Sequence, residues 1–137
     1  MIKVNVENIN GVLVTTSNRV AEELGVNHRD LLGKIDGYIK KFGGAELSAD
    51  FYIASEYVHS QNKQTYRNYL ITEKGIAQLI GGYSGAVPKA FDLNVAYINK
   101  FEEMKEALRE QKTLSIPEQL LINAQYLVEV EKRINSV

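Results

Sequence analysis

Residues 17–41 read Ser17-Asn18-Arg19-Val20-Ala21-Glu22-Glu23-Leu24-Gly25-Val26-Asn27-His28-Arg29-Asp30-Leu31-Leu32-Gly33-Lys34-Ile35-Asp36-Gly37-Tyr38-Ile39-Lys40-Lys41. Val20, Ala21 and Leu24 share one face of two helical turns, and Thr15, Thr16 and Ser17 offer hydroxyls to cap its start. Gly25 ends this helix, because glycine enters the left-handed C-terminal conformation at least cost. Asn27 then caps a second helix, whose apolar positions Leu31, Leu32, Ile35, Tyr38 and Ile39 recur at helical spacing. Gly33 and Gly37 each cost about 1 kcal/mol relative to alanine without erasing that pattern. Two helices joined by a glycine turn make a unit of helix-turn-helix size.

Downstream, Phe51-Tyr52-Ile53-Ala54-Ser55-Glu56-Tyr57-Val58 is rich in aromatic and branched residues, as strands are. The polar tip Ser60-Gln61-Asn62-Lys63-Gln64 follows, then Thr65-Tyr66-Arg67-Asn68-Tyr69-Leu70-Ile71, so residues 51–71 form a β-hairpin. Helix, helix, hairpin is the order of a winged helix. The expected fold is therefore α+β, a winged-helix-like domain (helix-turn-helix plus β-hairpin) with long C-terminal helices. Upstream, residues 2–6 alternate apolar and polar as a strand, Asn8 to Gly11 is a turn, and Val12-Leu13-Val14 completes a small hairpin. After residue 71, Thr72 caps a helix bearing Ile76, Ala77, Leu79 and Ile80, which Gly81-Gly82 ends. Another helix starts near Pro88, with Ala90, Tyr97, Phe101, Met104 and Leu108 as its buried stripe.

Pro117 opens a last helix. There Leu120, Leu127 and Ile134 lie seven residues apart, with Asn123, Val130 and Val137 offset by three. This seam of under three heptads marks Leu120, Leu127, Val130 and Ile134 as a candidate oligomer interface, or a face that packs back on the domain. The expected organisation is a winged-helix-like region over 1–86 and a helical oligomerisation region over 87–137.

At 137 residues, with 45% hydrophobic and 24% charged residues, the chain has the size and composition of one globular domain. It has no run of about 18 apolar residues and no apolar signal core, so no membrane span or secretion is expected. Sixteen bases and 17 acids leave a net charge of −1. Residues 1–70 carry eight of each, so neither half is a basic block of the kind that binds phosphate backbones indiscriminately. Any contact with DNA must be local, or the partner is a protein.

Catalytic chemistry finds little support. The absence of cysteine excludes thiol catalysis and cysteinyl metal sites. His28 and His59 lie in segments of different type, with no carboxylates at ligand spacing. Gly82-Tyr83-Ser84-Gly85-Ala86 lacks the second glycine of a nucleophile elbow, and also the lysine and hydroxyl of a phosphate loop. No catalytic residue, metal site or cofactor is expected. The eight tyrosines could stack on nucleobases, but cross-strand aromatic pairs such as those of 51–71 stabilise hairpins without a ligand.

In a winged helix, the second helix presents its N-terminal side chains to the major groove. Here those are Asn27, His28, Arg29 and, a turn later, Lys34. Arginine suits guanine and asparagine suits adenine in bidentate contacts. Lys63 and Arg67 on the hairpin, and Ser17 and Arg19 on the first helix, are candidate phosphate contacts. Asp30 and Asp36 favour the alternative, a helical hairpin with solvated charges and no DNA.

Val14-Thr15-Thr16-Ser17-Asn18-Arg19-Val20-Ala21-Glu22, then Gly25 and His28, resemble the opening of the phage regulatory protein Rha family. The resemblance continues through Phe51–Tyr57 and Tyr69-Leu70-Ile71-Thr72-Glu73-Lys74-Gly75. It ends with Gly82-Tyr83-Ser84-Gly85, Lys89-Ala90 and Ala96–Met104. Together these span roughly residues 12–104. The resemblance implies a temperate-phage or prophage regulator of antirepressor type, acting in the lysis–lysogeny decision inside the bacterial cytoplasm. Its implied partners are phage regulatory DNA or a phage repressor protein; the C-terminal seam separately leads to the expectation of a homo-oligomer. Two departures stand out. Family members commonly carry a basic residue where this chain has Gly33, followed by Lys34, and Gly85–Ala90 is about two residues longer than usual. Beyond Leu108 nothing matches, and the remaining residues are too few for a separate antirepressor domain.

Overall fold

A computed structural model describes residues 3–124, with side chains through residue 110. The elements in chain order are β1 (Glu7–Ile9), β2 (Val12–Thr16), α1 (Ser17–Leu24), α2 (His28–Phe42), β3 (Tyr52–Val58), β4 (Thr65–Ile71), α3 (Glu73–Gly81) and α4 (Ala90–Ala124). The four strands form one antiparallel sheet in the order β1-β2-β4-β3. The fold class is thus α+β.

The first hairpin differs from expectation. Its first strand is Glu7–Ile9, and the described part of the expected strand, residues 3–6, takes no strand structure. Asn10 and Gly11 both take left-handed conformations, with φ of 52° and 88°. Two such residues make the tight turn whose twist suits a β-hairpin, so Ile9 pairs directly with Val12. Asn8 belongs to the strand, and its Oδ1 accepts the Gly11 N–H at 2.9 Å. Among the described residues, β1 pairs with β2 through Glu7↔Val14, Asn8↔Leu13 and Ile9↔Val12.

Both helices of the central unit form where their caps predict. Thr16 Oγ1 accepts the Arg19 N–H, and Gly25 closes α1 at φ 73°. Asn27 Oδ1 accepts the N–H groups of Arg29 and Asp30 at 2.8 and 3.3 Å, and Gly43 ends α2. Val20, Ala21 and Leu24 of α1 and Leu31, Leu32 and Ile35 of α2 are buried. The α2 stripe fades at Tyr38 and Ile39, which are half-buried.

β3 and β4 pair from Tyr52↔Ile71 to Val58↔Thr65, and β2 joins β4 through Thr15↔Ile71 and Thr16↔Leu70. Thr72 caps α3 as expected. Three residues further on, only glycine fits. A Cβ at Gly75 would lie 2.2 Å from the Phe51 carbonyl oxygen.

The structure separates into two compact units, Met1–Phe101 and Glu102–Val137. The first three turns of α4 belong to the first unit, where Ala90, Leu93, Tyr97 and Phe101 are buried. Leu93 was not part of the expected stripe, while Met104 and Leu108 fall in the second unit and are half-buried. The expected break before Pro117 is also absent, since α4 continues to Ala124. Proline's fixed φ suits a helix, so its cost lies in one lost hydrogen bond and a clash one turn back. The good helix formers Glu118, Gln119, Leu120 and Leu121 favour continuation. Of the candidate oligomer seam, the Leu120 side chain and Leu127, Val130 and Ile134 lie outside the described residues. Among the described residues no helix is long and apolar enough to cross a membrane.

Candidate nucleic-acid interface

Three knots, two polar and one aromatic, tie the hairpin to α1 and α2, and they involve several residues that the sequence marks as DNA contacts. The first centres on Ser17, which is fully buried at the start of α1. Its Oγ accepts the Tyr69 backbone N–H at 3.0 Å and shares a 2.9 Å hydrogen bond with His28 Nε2. Ser17 is therefore an internal strut between β4 and α2, with no surface to offer a phosphate. Burial, and secondarily the Arg67 charge, hold the His28 ring below its ordinary pKa. A neutral ring suits that buried partnership.

The second knot joins β4 to the middle of α2. Arg67 donates to both Asp36 oxygens, at 3.1 and 2.7 Å, and the Tyr69 hydroxyl donates to Asp36 Oδ1 at 2.8 Å. Strand alternation places Arg67 and Tyr69 on the same side of β4, which is why both reach one carboxylate. The Arg67 guanidinium holds the Asp36 carboxyl below its usual range, and Asp36 in turn raises Arg67. Arg67 is exposed, but its charge is answered from within the chain.

The third knot is aromatic. His28 meets Tyr57 edge-on, Tyr57 lies against its cross-strand partner Tyr66, and His59 meets Tyr66 edge-on, each at 6.0 Å between ring centres. This succession stiffens the hairpin from the start of α2 to its tip.

The other expected contacts differ in availability. Asn27 is exposed but spends its carbonyl on capping α2. Lys34 is half-buried, with its ammonium 4.7 Å from the Tyr83 ring and 5.9 Å from that of Tyr38. Arg19 lies 3.8 Å from Glu7. Arg29 and Lys63 are exposed and carry no ion pair among the described residues. Lys63 sits at the hairpin tip with a left-handed φ of 60°. Asp36 was missed as an organiser of this surface, and Tyr57 and Tyr69 were expected only as aromatic residues that stabilise the hairpin. Strand alternation was the available signal for Tyr69, whereas nothing local couples Asp36 to β4.

With that geometry in view, the chain belongs to the phage regulatory protein Rha family, whose sequence model matches residues 15–106. The matched span runs from the end of β2 to the fifth turn of α4 and includes every knot described above. Among curated proteins it is similar to YoqD, an SPbeta prophage-derived protein of Bacillus subtilis (strain 168) described as an antirepressor. The two are 35% identical over 106 residues, which cover 77% of this chain and 41% of YoqD. The chain thus spans well under half of that relative's length. No solved structure matches significantly.

Proposed function

We propose that this chain is an antirepressor-type regulator of lysis–lysogeny transcription whose N-terminal unit binds phage regulatory DNA as a winged helix. The observation that carries this reading is topological. A strand (β2), two short helices and a hairpin follow in order, and β2 closes against β4 to give β2-β4-β3. That arrangement sets α2 beside the hairpin, as a recognition helix is set beside its wing. In this reading Arg29 and Lys63 contact DNA, and Asn27 keeps its amide nitrogen for a base edge. Ser17, His28 and Arg67 position the two elements, while Lys34 and Arg19 flank them. Residues 87–137 serve oligomerisation through Leu120, Leu127, Val130 and Ile134, and the protein works in the bacterial cytoplasm.

A second reading is favoured by charge. The net charge is −1, and Arg67 and Arg19 face Asp36 and Glu7 instead of solvent alone. A surface neutralised in this way suits a protein partner, here a phage repressor that the chain would sequester without touching DNA. One titration separates the two. The full chain is titrated against its phage's regulatory-region DNA at two salt concentrations, with and without the cognate repressor. Direct binding that weakens with salt supports the winged-helix reading. Repressor release without any binding by the chain alone supports sequestration and refutes the first reading.

A further inference from the structure

The hairpin tip has a hydrogen-bond order that the DNA-binding reading does not use. The backbone N–H of Gln64 can only donate, and it donates to Asn62 Oδ1 at 2.9 Å. That fixes the Asn62 amide, whose Nδ2 donates to the Tyr66 hydroxyl oxygen at 3.0 Å. The Tyr66 hydroxyl then gives its own proton to Gln64 Oε1 at 3.2 Å. In this order of bonds the Gln64 side-chain oxygen accepts from within the tip. The Gln64 Nε2 donors and the Lys63 ammonium remain for a ligand, on residues that are both exposed. The tip is held by the His59–Tyr66 and Tyr57–Tyr66 ring contacts and by a closing bond from the His59 N–H to the Gln64 carbonyl at 2.9 Å. The Gln64 side chain is thereby ordered before any ligand arrives.

By contrast, the first turn of α2 has few free groups for reading bases. The Asn27 carbonyl is spent on its cap, and His28 is bonded to Ser17. Arg29 is the exposed cation there, next to the exposed Asp30.

We infer that the tip of the hairpin, through Lys63 and Gln64, is the base-reading element, and that it reads A·T pairs in the minor groove of duplex DNA. The chemistry is complementary. An A·T pair presents only acceptors in the minor groove, adenine N3 and thymine O2, whereas a G·C pair adds the guanine amino donor. A pair of outward donors matches the first surface and meets an unmatched donor on the second. This inference rests on the DNA-binding reading above and deepens it by moving sequence discrimination from α2 to the wing.

The test uses the full chain and three duplexes of equal length at one low salt concentration, read by fluorescence anisotropy. One is all A·T and one all G·C. In the third, inosine·cytosine pairs combine an A·T-like minor groove with a G·C-like major groove. The expected result is equal affinity for the A·T and inosine duplexes, and at least about tenfold weaker binding to G·C. Gln64→Ala and Lys63→Ala should each narrow the gap between the A·T and G·C duplexes, while Arg29→Ala weakens all three together. Lys63→Ala should reduce the slope of log affinity against log salt by about one. Circular dichroism should leave these exposed-site variants indistinguishable from the parent. An inosine duplex that follows G·C, or three duplexes bound equally by the parent, would overturn the wing assignment and leave DNA binding standing. Failure to bind any of the three would overturn the DNA-binding reading itself.

Discussion

Ser17 and His28 show how a surface motif can be turned inward. Both are among the residues expected from sequence to touch DNA, yet Ser17 is fully buried and its hydroxyl serves the Tyr69 N–H and the His28 ring. Ser17→Ala would leave that backbone donor without an acceptor, at a cost of about 1–3 kcal/mol measured by urea unfolding. His28 gives a pH signature. Its folded pKa lies below the ordinary 6.5, so the unfolded chain takes up a proton first as pH falls. Its contribution to stability is intact above that value and is lost as pH drops through the folded pKa. Unfolding midpoints measured downward from neutral pH should therefore decline, and His28→Gln should flatten the decline just below pH 6.5. Arg67→Ala should cost only about 1 kcal/mol, since its ion pair with Asp36 is exposed.

At the scale of elements, glycine has opposite meanings in α2 and α3. Gly33 and Gly37 lie in the interior of α2, and a Cβ at either would meet nothing within 4 Å. Neither packing nor backbone conformation requires them, so Gly33→Ala and Gly37→Ala should each stabilise the protein by about 1 kcal/mol, seen as a raised thermal midpoint. Gly75 is the reverse. Its Cβ would collide with the Phe51 carbonyl at 2.2 Å and with the Ile71 side chain at 2.7 Å. Gly75→Ala should destabilise by about 1–3 kcal/mol or more in the same assay, because α3 must move away from the hairpin. The two classes look alike in sequence, since each is a lone glycine within a helical pattern.

For the molecule as a whole, the compact unit reaches well into α4. Phe101 is 1% exposed, whereas Phe91 is 73% exposed on the same helix. Phe101→Ala should therefore cost about 3–5 kcal/mol in chemical denaturation, and Phe91→Ala should stay within about 0.5 kcal/mol. Equal effects would contradict the assignment of these turns to the first unit.

Much of the architecture was legible because its signals are short-range. Thr16, Asn27 and Thr72 cap their helices, Gly25 ends α1, and the hairpin over 51–71 forms as its composition predicts. Each depends on a residue and neighbours within about one turn, where backbone sterics and local hydrogen bonds decide the outcome. The first hairpin forms, but its first strand is Glu7–Ile9, because the Asn10-Gly11 turn and not the upstream alternation sets the register. What only the tertiary structure decided is long-range. Thr15 pairs with Ile71, Asp36 receives Arg67 and Tyr69, and Ser17 supports Tyr69, across 31 to 56 positions of chain. These partners compete with many chemically equivalent ones, and only the packed core selects among them. The candidate surface is the plainest case: its residue types stand in the sequence, but which of them face outward with free donors depends on how β4 lies against α1 and α2.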